Sequence, residues 1–180
     1  LLRSKRKSKP NRMHRKEPET AEQNRPGFLY QTLCSIFVSN RWYEIKQFQK
    51  MPGIGEVLAH IFDAFIQTPH RFPDKHKLWR YSRLGVTDRS SDGKPLGFKR
   101  LDRSGISELK SLTYQAWMSA LRSDNEVKRF YKNSLERTFS RVHARLNTQR
   151  KIIATMYGMW KRGEPYNPKL FLDSPQSGVV

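Results

Sequence analysis

Apolar residues spaced three and four apart, the repeat of a single helix face, run through most of this chain from Phe28 onward. Phe28, Leu29, Leu33, Ile36, Phe37, Ile45 and Phe48 recur near that spacing with a break at Ser39-Asn40, which predicts one or two helices up to Lys50. Met51-Pro52-Gly53-Ile54-Gly55 interrupts the stripe. Val57, Leu58, Ile61, Phe62 and Phe65 then resume it until Thr68-Pro69. Asp74 stands where it would cap a short helix running through Tyr81, with Leu78 and Trp79 facing inward. Residues 83–104 mix glycine, proline and polar side chains, predicting a long polar loop with room for short strands.

The last third carries the strongest helical pattern. Ile106, Leu109, Leu112, Tyr114, Ala116, Trp117 and Leu121 mark one amphipathic helix. Ser123-Asp124-Asn125-Glu126 reads as a capping box opening the next, in which Val127, Phe130, Tyr131, Leu135 and Phe139 are expected to face inward. A third helix is expected from about Thr148 to Arg162, stopped by Gly163 and Pro165, with an irregular tail after Tyr166. The expected fold is mainly α: a helix-hairpin-helix, a long polar loop, and a C-terminal three-helix bundle.

Charge narrows the range of partners. The chain has 35 Lys and Arg against 16 Asp and Glu, a formal net charge of +19, which favours a polyanion and disfavours a small uncharged metabolite. At 180 residues it has room for one ordinary domain and a tail. No apolar run nears the ~20 residues needed to span a bilayer, so no membrane partner is expected. Single Cys34 excludes an internal disulfide and a cysteine-based zinc site, and fits a reducing, cytoplasmic or nucleoid-associated setting. Leu1-Leu2 leads straight into basic residues, giving no expectation of a signal peptide, and a first residue other than Met raises the expectation of a fragment. From Arg3 to Lys16 the chain is basic without an acid, and Pro10, Pro18 and Pro26 punctuate residues 1–27. This segment is expected to be a disordered arm able to contact phosphates.

Two segments carry candidate chemistry. In Pro52-Gly53-Ile54-Gly55-Glu56, glycines would let backbone approach a phosphate, and the helix that follows offers free N–H groups and a positive dipole end. Ile54 would pin the turn into the core. A plain glycine turn between packed helices is the alternative. In Leu84 to Gly97, two adjacent hydroxyls, Ser90 and Ser91, stand among Arg89, Lys94, Lys99, Arg100 and Arg103. A serine needs its proton shared or removed before it attacks, and nearby cations could stabilise charge on a phosphate oxygen. By composition alone, Ser-Ser-Asp-Gly is more often a solvated turn. His14, His60, His70, His76 and His143 show no metal-ligand spacing, and the acids are too dispersed for a two-metal centre, so no metal site is expected in the chain. Tyr114, Trp117, Tyr131, Tyr157 and Trp160 fall at helical spacings and are expected in the core first, and as a base-stacking platform second.

The order of these pieces is familiar. MPGIGEVLAHIF, then TPHRFPDKHKLWRYSRLGVTDRSSDGKPLGFKRLDRSGISELK, then TQRKIIATMYGMWKRGEPY together resemble the C-terminal transposase domain of the insertion-sequence family related to the Piv DNA invertases. That family commonly has Pro-Gly-Ile-Gly where Pro52 to Gly55 stand, and a Ser-Gly-Gly-Lys-like segment where Ser91-Asp92-Gly93-Lys94 stand; Asp92 departs from it. The resemblance covers about residues 50–167. It implies DNA transposition, with Ser91 attacking a DNA phosphodiester to form a phosphoserine ester and Ser90 as the alternative nucleophile.

The resemblance also implies Mg²⁺ held by the DEDD carboxylates of a RuvC-like domain, with no cofactor bound by this chain itself. A structured guide RNA serves some members, and a homo-oligomer is implied for the full-length protein. Residues 1–49 are too short and too poor in acids for a RuvC-like half, so the expectation is a fragment inactive alone. The expected organisation is a basic arm at 1–27, a helical linker at 28–50, the transposase domain at 51–167 with the helix-hairpin-helix at about 45–66, and a tail at 168–180. DNA binding is expected from Gly53, Ile54, Gly55, Arg89, Lys94, Lys99, Arg100 and Arg103. The other readings are a non-catalytic helix-hairpin-helix module and a basic RNA-binding protein.

Overall fold

The computed structural model of the protein describes residues 41–91 and 94–173, with the side chains of residues 89–99 and 173 outside that description. The basic arm, residues 28–40 of the linker, Asp92, Gly93 and residues 174–180 lie outside the described residues. The described fold is mainly α, as the periodicity predicts. Helix α1 covers residues 41–48. It is followed by α2 (Glu56–Ile66), a 3₁₀ turn (Pro69–Arg71), α3 (Lys75–Tyr81), strands β1 (Val86–Ser91) and β2 (Lys94–Leu101), and helices α4 (Ser107–Ala120), α5 (Glu126–Thr138), α6 (Arg141–Arg162) and α7 (Pro168–Asp173).

The long α6 is the centre of the molecule, packing against α3, α4 and α5. Its buried face carries Ile152, Ile153, Met156, Tyr157, Met159 and Trp160. Trp160 forms an aromatic cluster with Phe48 of α1 and Phe62 of α2, with ring centroids 5.5 and 5.9 Å away. The two phenylalanines meet edge to face at 5.1 Å. Such pairs favour offset or T-shaped geometry and bury large apolar area, so this cluster ties the first two helices to the central one. Arg41 adds an ion pair to Asp63, linking α1 and α2 at their outer side.

Local chemistry sets the helix ends. The Asp74 side chain accepts from the backbone N–H groups of His76 and Lys77 at 2.8 and 2.9 Å, starting α3 where the sequence placed it. Asn125 does the same for Lys128 at 3.0 Å at the start of α5. Gly163 ends α6 in the left-handed region at φ 67°, a conformation glycine adopts without a Cβ clash.

Four local expectations need correcting. The third C-terminal helix begins at Arg141, not near Thr148, because Ser140 caps it and Asn147 donates to Ser134 Oγ across α5 at 3.2 Å. The tail contains α7, held by Phe171, whose ring meets Phe130 at 5.6 Å. Phe139 does not face inward: it closes α5 at φ 50° with 93% of its surface exposed. Its left-handed backbone turns the chain into α6 and directs the ring outward. Tyr114 also leaves the core, being 41% exposed, whereas Trp117, Tyr157 and Trp160 are buried.

Candidate functional site

Residues 83–104 form an anchored antiparallel hairpin. Val86 pairs with Leu101, Thr87 with Arg100, Asp88 with Lys99, Ser90 with Pro95 and Ser91 with Lys94. Asp92 and Gly93 lie outside the described residues. Between Asp88 and Ser90 the register shifts, with β2 longer than β1 by two residues, so the ladder is irregular just before the serines. Bulges of this kind re-aim a strand and recur near functional sites.

The root of the hairpin is where the protein invests its contacts. Both Leu84 N–H and Gly85 N–H donate to the carbonyl of Trp79 at the end of α3, at 2.7 and 2.8 Å. On the returning strand Asp102 N–H donates to Gly85 O at 2.9 Å, and Ile106 N–H donates to Tyr81 O at 2.7 Å. Two glycines make this close approach possible. A Cβ on Gly85 would lie 2.7 Å from Arg80 Cγ, and one on Gly105, at φ +100°, would overlap the carbonyl oxygen of Tyr81. Arg83 closes the base by donating from Nε to Gly105 O at 2.8 Å.

Arg150 of α6 fixes this root to the central helix. It is 4% exposed, donates from Nε to Leu84 O at 2.6 Å, and lies 5.7 Å from the centre of the Trp79 ring. Trp79 returns a bond from its indole N–H to Arg150 O at 3.2 Å. Among the described contacts, a carbonyl and an aromatic face hold this guanidinium rather than a carboxylate, and burial lowers its pKa from the ordinary arginine value. Nothing in the sequence reading singled out Arg150, since an arginine inside an apolar stripe looks like a surface residue. Its position two and three residues before Ile152 and Ile153 was the available signal.

Asp102 adds an electrostatic clasp. Ser104 donates to its carboxylate from both Oγ and the backbone N–H, and Arg80 Nε approaches at 3.4 Å. Those hydrogen bonds, and then Arg80, hold its pKa below the ordinary 3.8. A depressed carboxylate pKa favours the folded state above the unfolded pKa, and that help disappears as pH falls through the lower folded value. Amide-exchange protection at Ser104 is therefore expected to be constant at neutral pH and to decline once pH drops below about 4. Protection unchanged down to the pH of global unfolding would remove Asp102 from this role.

Of the sequence-predicted site residues, Arg100 and Arg103 are exposed on or just after β2. Ser90, Ser91 and Arg89 lie on the β1 backbone and Lys94 and Lys99 on β2, with side chains outside the described residues. The second predicted segment is the turn between α1 and α2. Ile54 is 4% exposed and pins that turn into the core. Gly53, at φ +87°, faces α4: a Cβ there would overlap the Ala116 carbonyl oxygen and lie 3.0 Å from Ala120 Cβ. Gly55 is different. It is the N-cap of α2 with extended backbone, no side-chain cap, and nothing within 4 Å of its Cβ position. The turn thus sits on α4, while the hairpin roots on α3 and α6.

Among the described residues no three His, Cys, Asp or Glu side chains gather as a metal site. No described helix is long and apolar enough to cross a membrane.

Residues 45–132 match the family model described as Transposase IS116/IS110/IS902 family. The matched segment runs from the middle of α1 into α5 and includes both the glycine turn and the hairpin. The match supports a transposase-family domain over that segment. No curated protein matches the chain significantly.

Proposed function

We propose that the hairpin presents Ser91, with Ser90 as the alternative, to a DNA phosphodiester during strand transfer in transposition. The observation that carries this reading is the hairpin root: two sterically required glycines, a clasped Asp102 and a buried Arg150 hold the base of a short polar hairpin. A solvated turn needs no such foundation, whereas a reacting group must be held in a fixed orientation. In the proposed step a bond forms from serine Oγ to phosphorus, one P–O ester bond of the backbone breaks, and the departing sugar oxygen takes up a proton. Arg89, Lys94, Lys99, Arg100 and Arg103 surround the serines in sequence and would stabilise the charge on the phosphate oxygens.

The open N-terminus of α2 at Gly55 supports a second element of the same reading, a sequence-independent contact to the DNA backbone as in a helix-hairpin-helix. Among the described residues no His, Cys, Asp and Glu side chains gather as a metal site, and the carboxylates that would bind Mg²⁺ belong in this reading to a separate RuvC-like domain. A guide RNA, self-association and a place at the nucleoid belong to this reading as further proposals.

An activated substrate tests the nucleophile in the chain as it stands. A short oligonucleotide bearing a p-nitrophenyl phosphodiester should release p-nitrophenolate and leave its phosphoryl group on the tryptic peptide containing Ser91. Ser91→Ala should lower adduct yield at least tenfold while Ser90→Ala retains most of it. Equal yields from both variants and the parent would end the assignment.

A further inference from the structure

A groove between α4 and α6, about 370 Å³ in volume, is lined by Ser107, Lys110, Ser111, Tyr114, Arg145 and Gln149. It involves none of the residues assigned to the hairpin or the glycine turn. Three independent features mark it. Ile106, the N-cap of α4, makes no side-chain capping hydrogen bond, so the first-turn N–H groups lack that partner. Tyr114 keeps 41% of its surface exposed, and the Arg145 guanidinium lies 5.6 Å from its ring centre. Gln149 is 1% exposed, yet its Oε1 has no hydrogen-bond partner. Buried acceptors are almost always satisfied, and an apolar residue would fill the same place without that cost. The orphaned amide points to a donor that the protein does not supply.

The spacing suits one chemical class. Lys110 lies four residues before Tyr114 and therefore on the same helix face, one turn or about 5.4 Å toward the N-terminus. An aromatic ring, a cation one turn away and a helix start without a side-chain cap beyond it suit a base and its phosphate. We propose that the groove binds one unstacked nucleotide of a single strand. The base stacks on Tyr114 and extends the Tyr114–Arg145 pair, the phosphate meets Lys110 and the α4 N-terminus, and Gln149 accepts from a ring N–H of the base or a sugar hydroxyl. A duplex cannot use the site, because its base faces are already stacked. The inference rests on nucleic acid being the partner, as in the reading above, but not on Ser91.

Anisotropy titrations of the full 180-residue chain with labelled oligo(dT), oligo(U) and a duplex of equal length test it. Tyr114→Ala should weaken oligo(dT) binding about tenfold and Tyr114→Phe less than twofold; both should leave duplex affinity unchanged, and Tyr114→Phe, which keeps the ring against Trp117, should leave thermal stability unchanged. Arg145→Gln should weaken single-strand binding several-fold. Tighter binding of oligo(U) than oligo(dT) would assign Gln149 to a 2′-hydroxyl, and equal binding to the base; both support the site. Photocrosslinking with a 5-iododeoxyuridine oligonucleotide should label the peptide containing Tyr114. Equal losses on single strand and duplex, no loss, or a crosslink elsewhere would overturn the proposal. Groove-dependent oligo(dT) binding without a serine adduct would remove only the hairpin reading. A serine adduct with Tyr114→Ala binding like the parent would remove only the groove.

Discussion

Gly53→Val is expected to destabilise the protein by about 3–5 kcal/mol, combining the cost of left-handed backbone for a β-branched residue with overpacking. The new Cβ has nowhere to go. It would overlap the Ala116 carbonyl oxygen, part of the α4 backbone, and Ala120 Cβ stands 3.0 Å away. Neither neighbour is the flexible end of a side chain. Both alanines are buried, 0% and 1% exposed, and they form the flat seat on which the turn rests. A loss of this size should lower the thermal midpoint by roughly 10 °C or more.

Gly55→Asp makes the paired comparison two residues away. Gly55 has φ −89°, ψ 179° and open space around its Cβ position, so aspartate should act as an N-cap and raise stability by a few tenths of a kcal/mol. The same carboxylate would face any phosphate bound at the α2 N-terminus. Duplex affinity at low salt is expected to fall roughly three- to tenfold, the difference shrinking as salt is raised. Unchanged affinity would exclude Gly55 from the DNA contact. A midpoint for Gly53→Val within a degree or two of the parent would exclude the packing account of that glycine.

Arg150→Met is expected to cost about 1–3 kcal/mol, because it leaves the buried Leu84 carbonyl without its donor and removes the stack on Trp79. Two effects oppose each other here. Removing a guanidinium relieves the burial that lowers its pKa, and methionine keeps much of the apolar stem. The orphaned carbonyl and lost stack outweigh that relief, since Leu84 is fully buried and water cannot replace the bond. The location of the damage is the sharper prediction. Amide exchange should accelerate in β1 and β2 more than in α4 and α5, as the hairpin loses its tie to α6. Arg150→Lys should not restore protection, because an ammonium lacks the planar guanidinium that both donates to Leu84 and stacks on Trp79. A more stable Arg150→Met variant, or uniform exchange changes across all elements, would refute this role.

Helix identity was legible where side-chain chemistry is local. Asp74 capping α3 and Gly163 ending α6 each depend on residues within a few positions, so their spacing sufficed; the Ser123–Glu126 segment marked the start of α5, but the cap is Asn125 with Glu126 as the first helical residue, not a capping box from Ser123. Burial of Ile54 followed from one apolar residue between two glycines. Legibility stopped where the partner is distant in sequence. Phe139 continued an apolar stripe, but the chain reverses at that residue and the stripe has no surface left to cover. The early start of α6 depends on its crossing with α5 through Ser134 and Asn147. The hairpin was legible only as a polar loop with room for strands, because its register depends on the pairing of β1 with β2 and on anchorage to α3 and α6.

By itself, then, the sequence determined a mainly helical chain with a strong positive charge, a buried isoleucine in a glycine turn, and two hydroxyls in a basic polar segment. Those properties reside in spacing and composition. Tertiary structure decided what the two glycines of the turn do: Gly53 fits against α4 and Gly55 is left open. It also decided that Arg150 would be a buried anchor and Tyr114 an exposed ring. Each of these depends on a neighbour brought close by the packing of helices, as when Arg150 reaches Leu84 across 66 positions of chain, and no local pattern encodes such a neighbour.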